Sequence, residues 1–385
     1  MPPLLLRNAE LLTPEQHLPH ANLLIDDGRI VALGDDLEAP AAEPCDLHGL
    51  LLVPGFIDLH VHGGGGQSLT GAQPDQLRAY ARWAPRHGIT AFLAGTIGAG
   101  VDAIERSLRR GAAFAAGGAG GARLLGFHLE GPFLNPRRRG AFAADWLLPP
   151  DVRSFSRFIQ AADGWLRVVT LAPELDGAEA VQREAMQTGV RVSLGHTDAS
   201  YEQMLHGFER GARQVTHCFN AMRPFAHRDP GPAAAALTAP GVRCELIADG
   251  QHVAPGAMRL LLAARGWRNT VLVTDGIAFA GAASGRFDLA GQRVVVKGGR
   301  ALTPDGTLAG SIATMDQCLR NAVRLGGADV RAAVTMASLN PAQAIGVDGE
   351  RGRIAPGFAA DLVALTPELR VARTWVGGVL AFDGG

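Results

Sequence analysis

Along the middle of the chain, apolar runs of five to eight residues recur, and most end in a polar or charged side chain. They read LLVPGFIDLH, ITAFLAGT, RLLGFHLEGP, LRVVTLAPE, VRVSLGHTD, RQVTHCFNA, RCELIADG and TVLVTDG. Between most of them lie stretches with helical periodicity, such as PDQLRAYARWAPRHG, GAEAVQREAMQTG and YEQMLHGFERGA. Strands that alternate with helices predict a parallel sheet with crossover helices. Eight such units over roughly 300 residues predict a (β/α)8 TIM-type barrel rather than an open doubly wound sheet. No GxGxxG follows the first strand to argue for a dinucleotide fold.

The two ends of the chain carry a different pattern. LLLRNAELL and ANLLIDDGRIVALG read as short strands, with Asp27-Gly28 as a hairpin signal, and GFAADLVALTPELRVARTWVGGVLAF reads the same way. One small β unit built from both termini is therefore expected beside the barrel, since chain ends commonly lie close together. Residues 276–311 form a long excursion with hairpin signals of its own, expected as a flap over the site.

Composition narrows the chemistry. The 385 residues are 47% hydrophobic and 19% charged, the balance of an ordered globular protein, and the formal net charge is −1. No global field draws in nucleic acid or an anionic membrane. No apolar stretch approaches the length of a membrane span, and the leucine run of MPPLLLRNAE is too short for a signal peptide. Cys45, Cys218, Cys244 and Cys318 are scattered with no CxxC pair, as in a reducing compartment, so a cytoplasmic address is expected. Of 36 basic residues, 35 are arginine and only Lys297 is lysine. Schiff-base, phosphate-loop or carbamylated-lysine chemistry would all need that one residue, which sits in a hairpin segment.

Candidate chemistry gathers at the C-terminal ends of the expected strands: His60 and His62, Glu130, His196, His217, Asp249, His252 and Asp275. In a barrel these ends converge on one face, where the active site lies. His60 and His62 are two apart on one strand, about 6.5 Å at Cα, so both could reach one metal. Glu130 with His196 and His217 supplies one carboxylate and two imidazoles, a set suited to a divalent ion that keeps an open position. Asp275 is placed to move a proton. His252 could hydrogen-bond a substrate, and Arg228 suits a phosphate or carboxylate better than the consecutive Arg137, Arg138 and Arg139, which suit a solvated face. His128 reads as a deeper supporting histidine, and Cys218, next to His217, as pointing away.

Taken in order, PGFIDLHVHG, LLGFHLEGPFLNPRRRGAF, SLGHTDAS, THCFNAM, ADGQHV, VTDG, GTLAGSIATM and GRIAPGFAADLVAL resemble the N-acetylglucosamine-6-phosphate deacetylase family of the amidohydrolase superfamily. The resemblance implies a (β/α)8 barrel over residues 54–353 with a small β-sandwich from residues 1–53 and 354–385, usually as a homodimer. It implies metal ligands at Glu130, His196 and His217, a catalytic Asp275, and substrate contacts at Asn220, Ala221, Arg228 and His252, with Arg228 serving its own or a neighbouring subunit's site. The implied cofactor is a divalent ion, Zn2+ first and Fe2+, Co2+ or Mn2+ as alternatives. Some members replace the first-strand histidines and hold one metal; this chain keeps His60 and His62, which leaves room for a second. Phe142 stands where some members have a sugar-contacting histidine, so the N-acetylgalactosamine 6-phosphate epimer stays open as substrate. A cyclic-amide or nucleobase hydrolase is a further alternative, although the segment TLAPE carries no bridging lysine.

Overall fold

The computed structural model describes residues 2–117, 120–282, 284–289, 292–304 and 306–385. Eight parallel strands form one sheet in chain order: β1 (Phe56–Val61), β2 (Ile89–Thr96), β3 (Arg123–Glu130), β4 (Leu166–Leu171), β5 (Arg191–Leu194), β6 (Gln214–Val215), β7 (Arg243–Ile247) and β8 (Thr270–Val273). Each apolar run singled out in the sequence supplies one of them. The ring closes just past β8, where the Asp275 amide donates to the His60 carbonyl at 2.8 Å and the His62 amide to the Gly276 carbonyl at 2.7 Å. The last seam of the barrel is therefore made by residues of the site itself.

Strand residues of one parity pack outward against the helices, in a large core that includes Phe92, Phe127, Leu129, Val169 and Leu272. Those of the other parity, including Ala91, Leu93, Val168, Val271 and Val273, form a separate cluster with Ile57 and Leu59. The helix Leu339–Ile345 contributes Ala342 and Ile345 to that cluster and plugs the base. The register of β1 on β2 slips between Asp58 and Val61, so β1 carries apolar residues low down and imidazoles at its end.

Strands from both termini form an eight-stranded sheet with its own core, centred on Leu6, Leu23, Leu52, Leu362 and Trp375. Its halves meet where Leu51–Pro54 pairs antiparallel with Leu362–Leu365. The excursion after β8 holds a three-stranded antiparallel sheet, Gly285–Leu289, Gln292–Lys297 and Arg300–Leu302, and Lys297 is exposed at its turn. Among the described residues no helix is long and apolar enough to cross a membrane.

The closing seam also holds a buried acid. Asp58 accepts from the Thr274 hydroxyl at 2.6 Å and from the amides of His60 and Thr274, and burial pushes its carboxyl up to about 7. Thr274→Val keeps the side chain's shape but removes that hydroxyl. The expected loss is about 1–3 kcal/mol, read by denaturant unfolding; an unchanged midpoint would show that the seam does not depend on it.

Candidate active site

The polar residues that end separate strands in the sequence meet at one end of the barrel. Glu130 is the last residue of β3, His60 and His62 stand at the end of β1, and His196, His217 and Asp275 follow β5, β6 and β8. Three of them leave their strands in the left-handed backbone region, with φ of 48° at His196, 26° at His217 and 47° at Asp275. Side chains with a Cβ visit that region at a cost, and such strain persists only where the surroundings enforce it. Here they do. The His217 amide donates to Glu245 at 3.1 Å, and Asp275 is fixed between His60 and Ser311 by backbone bonds. Beyond His196, the helix Tyr201–Glu209 starts on a reciprocal cap between Ser200 and Gln203.

Glu130 sits at the centre. Its Oε1 lies 3.0 Å from His196 Nε2, 3.1 Å from His217 Nε2 and 3.4 Å from His60 Nε2, while Oε2 lies 2.9 Å from His62 Nε2. Asp275 Oδ1 lies 3.6 Å from the Nε2 atoms of both His60 and His62. Two ligand groups share this space, Glu130/His196/His217 and His60/His62/Asp275. All these side chains are buried apart from Asp275, which is 13% exposed.

The donor set fits a metal on tautomer grounds. His60 Nδ1 is 2.9 Å from Glu245, His62 Nδ1 is 3.2 Å from the Gly95 carbonyl and His196 Nδ1 is 2.8 Å from the Arg138 carbonyl. Each partner is an acceptor, so each Nδ1 carries a proton and each ring turns its Nε2 inward, the atom a metal would take. His60 and His62 bring theirs within 3.2 Å, and His196 and His217 within 3.1 Å, beside a carboxylate. Four Nε2 atoms drawn around one buried carboxylate call for positive charge among them, a protonated ring or a metal ion. The charges respond in the same sense. Burial alone would push His60 down, yet Glu130, Asp275 and Glu245 raise it well above the ordinary histidine range. Burial would likewise raise Glu130, but His60, His196 and His217 hold it well below the usual carboxylate range.

A second polar layer supports the first. Glu245 accepts from His60, from the His217 amide and from Gln214 at 2.6 Å; despite its burial, His60 holds its carboxyl at about 2. His128 is buried, bonded to Thr170 at 2.7 Å and to the Leu59 carbonyl at 3.1 Å, and burial pushes it down to about 3, so it is neutral. It supports His60, whose ring lies 4.4 Å away. Sequence reasoning passed over Glu245 and Asp58. Their signal was available: an acid inside an otherwise apolar run, as in RCELIAD, must be desolvated and therefore partnered.

Above the cluster opens a cavity of about 430 Å3, lined by Asn220, Ala221, Phe142, Trp146 and His252 as well as all of the ligand groups but His60. Residues 306–310 of the excursion form part of its wall. His252 Nδ1 bonds Asp249 at 2.6 Å. Burial opposes its charge, yet the Asp249 carboxylate raises its pKa. The Asn220 side-chain Nδ2 donates to the His217 carbonyl at 3.2 Å, and Ala221 is left-handed at φ 48°. The Phe142 ring stands edge-on to His196, centroids 5.3 Å apart. Cys218 is buried in the outer core, away from the cavity. Arg138 pairs with Asp198. Arg228 is not brought in: it lies exposed on the loop after β6, outside the cavity lining.

The amidohydrolase family model matches residues 51–381. The chain is 39% identical to the N-acetylgalactosamine-6-phosphate deacetylase of Escherichia coli O157:H7 over 98% of both lengths. It is 35% identical to the N-acetylglucosamine-6-phosphate deacetylase of Bacillus subtilis (strain 168), over 98% of this chain and 97% of that one. In three dimensions it is similar to a mutant of the N-acetyl-D-glucosamine-6-phosphate deacetylase from Mycobacterium smegmatis, in complex with N-acetyl-D-glucosamine-6-phosphate. The TM-score is 0.93 at 35% identity, and both chains are covered completely.

The shared position of Glu130 gives a test by elemental analysis of purified protein. About one or two divalent ions per chain are expected. His217→Ala should empty the Glu130/His196/His217 group, His60→Ala should spare it, and Glu130→Ala should lower the content of both groups. A wild-type protein that takes up no divalent ion would remove the metal from the site.

Proposed function

The chain belongs to the amidohydrolase family, and we propose that it removes the acetyl group from N-acetylglucosamine 6-phosphate, giving glucosamine 6-phosphate and acetate. The observation that carries the reading is the convergence of Glu130, four imidazoles and Asp275 beneath one small cavity. The deacetylases named above, similar over nearly the whole chain, support the substrate class.

Glu130, His196 and His217 would hold one divalent ion, and His60, His62 and Asp275 a second. Such an ion supplies Lewis acidity, which activates water and polarises a carbonyl at neutral pH. Asp275, the most exposed carboxylate of the cluster, takes the proton of the attacking water and returns it to the sugar nitrogen as the C–N bond breaks. His252, oriented by Asp249, presents Nε2 to the substrate oxygens. The left-handed turn at Asn220-Ala221 offers backbone groups at the same wall. The epimer N-acetylgalactosamine 6-phosphate is the second reading, favoured by the 39% identity to the Escherichia coli deacetylase of that sugar.

For Arg228 we infer a role across a homodimer. Its guanidinium is exposed, without a partner among the described residues, and Phe225 on the same loop is 61% exposed. A second copy seated on this loop would cover Phe225 and receive Arg228 at the phosphate end of its cavity, where a planar fork of donors suits phosphate.

Acetate release from the two epimers, measured side by side, tests the substrate. Asp275→Asn should cut kcat on the order of a thousandfold, roughly 4 kcal/mol of barrier, with little change in KM. More than about a tenth of the wild-type rate would show that Asp275 is not the base. Arg228→Ala should lose most activity alone and regain part of it when mixed with Asp275→Asn chains, because only a hybrid dimer joins an intact Asp275 to a partner's arginine. No recovery in demonstrated hybrids would place Arg228 outside the neighbour's site.

A further inference from the structure

A second cavity lies at the opposite end of the barrel. It encloses about 1020 Å3, more than twice the roughly 430 Å3 at the mouth. Its walls come from the first residues of β3 and β4, from residues 346–351 and from the C-terminal strands Val371–Val376 and Val379–Asp383 of the terminal sheet. The active-site end of β3 is about 23 Å away along the strand.

Four arginines from four different segments line it: Arg82, Arg123, Arg167 and Arg351. Glu350 is the one carboxylate in the lining. Arg351 pairs with Asp361, and Arg167 donates to the Leu125 carbonyl at 3.0 Å. Arg82 and Arg123 have no hydrogen-bond or ion-pair partner among the described residues. Some surface arginines find carboxylates, as Arg109 and Arg157 with Glu105 and Arg373 with Asp383, while others, Arg228 among them, do not. What sets Arg82 and Arg123 apart is the cavity they share with two more guanidinium groups. Burial, followed by the neighbouring Arg123, pushes the Arg351 guanidinium down to about 10, which reports like charges gathered in a partly desolvated place. Between the arginines the walls are apolar, with Phe114 and Trp165 among them.

Where guanidinium groups outnumber the carboxylates beside them, as Arg82 and Arg123 leave them here, they repel one another, and a multiply charged anion removes that cost while using their paired N–H donors. Apolar and aromatic walls beside such donors suit a ring body. We propose that this cavity is a binding site for a phosphate monoester carried on a small ring, separate from the catalytic cavity. A nucleoside monophosphate and an amino-sugar phosphate share that chemistry. The proposal does not depend on the reaction assigned to the mouth of the barrel.

Isothermal titration of the metal-loaded protein with inorganic phosphate, AMP and glucosamine 6-phosphate tests it and separates the sources. At least one ester is expected to bind once per chain at this site. The Arg82→Ala/Arg123→Ala double variant should weaken that event by at least about tenfold, while His252→Ala leaves it in place. Neither arginine has a structural partner, so the double variant should keep its melting temperature; Arg123→Gln, which keeps the aliphatic stem and a polar end but removes the charge, repeats the measurement if it does not. If no probe binds, or if every binding event is lost in His252→Ala and kept in the arginine variants, the proposal fails.

Discussion

A buried carboxylate ringed by imidazole nitrogens is the constraint on which the mouth of this barrel depends. Glu130 lies within 3.4 Å of four Nε2 atoms from three different strand ends. In a desolvated place such an arrangement is unfavourable unless positive charge enters it. Against its burial, the carboxylates around His60 raise it well above the ordinary histidine range, so the charge is carried by that imidazolium or by a metal ion in its place. The geometry of the cluster and its demand for a cation are thus the same fact.

Holding that geometry costs conformational freedom, and the barrel recovers it through closure. The backbone of Asp275 completes the ring by bonding to His60, so the eighth strand and the first are locked at the level where their side chains meet. Below them, Glu245 ties His60 to the backbone of His217, and a chain of hydroxyls links Thr170, Thr216 and Ser193 at 2.6–2.7 Å. The Glu245 bond to Nδ1 fixes the His60 ring with its Nε2 toward the cluster. The left-handed residues at His196, His217 and Asp275 are tolerated because this network leaves them no alternative.

The two ends of the barrel differ in the sign of what they gather. The C-terminal ends of the strands collect carboxylates and imidazoles. The N-terminal ends collect guanidinium groups, with Arg123, Arg191 and Arg243 each opening a strand. A net charge of −1 hides this division entirely. It arises because strand direction is common to all eight units, so residues at equivalent positions in sequence share one face in space.

The sequence by itself determined the eight strands, the direction they share and the residues at their ends. Apolar runs long enough to be buried on both faces, separated by amphipathic helices, have few other ways to pack. Knowing the direction, one knows that His60, His62, Glu130, His196, His217 and Asp275 belong to one face. What the sequence could not supply is anything that depends on contact between distant segments. The slip of β1 against β2, the left-handed turns and the tautomers set by Glu245, Gly95 and Arg138 come from neighbours remote in the chain. Arg228 reads as a residue of the mouth because its loop follows β6; only the path of that loop in space carries it out of the cavity. The arginine-lined cavity was equally hidden, since its walls belong to both the barrel and the terminal sheet. Local pattern records which face each residue can use, whereas distances between side chains are settled only when the ring closes and the two cores pack.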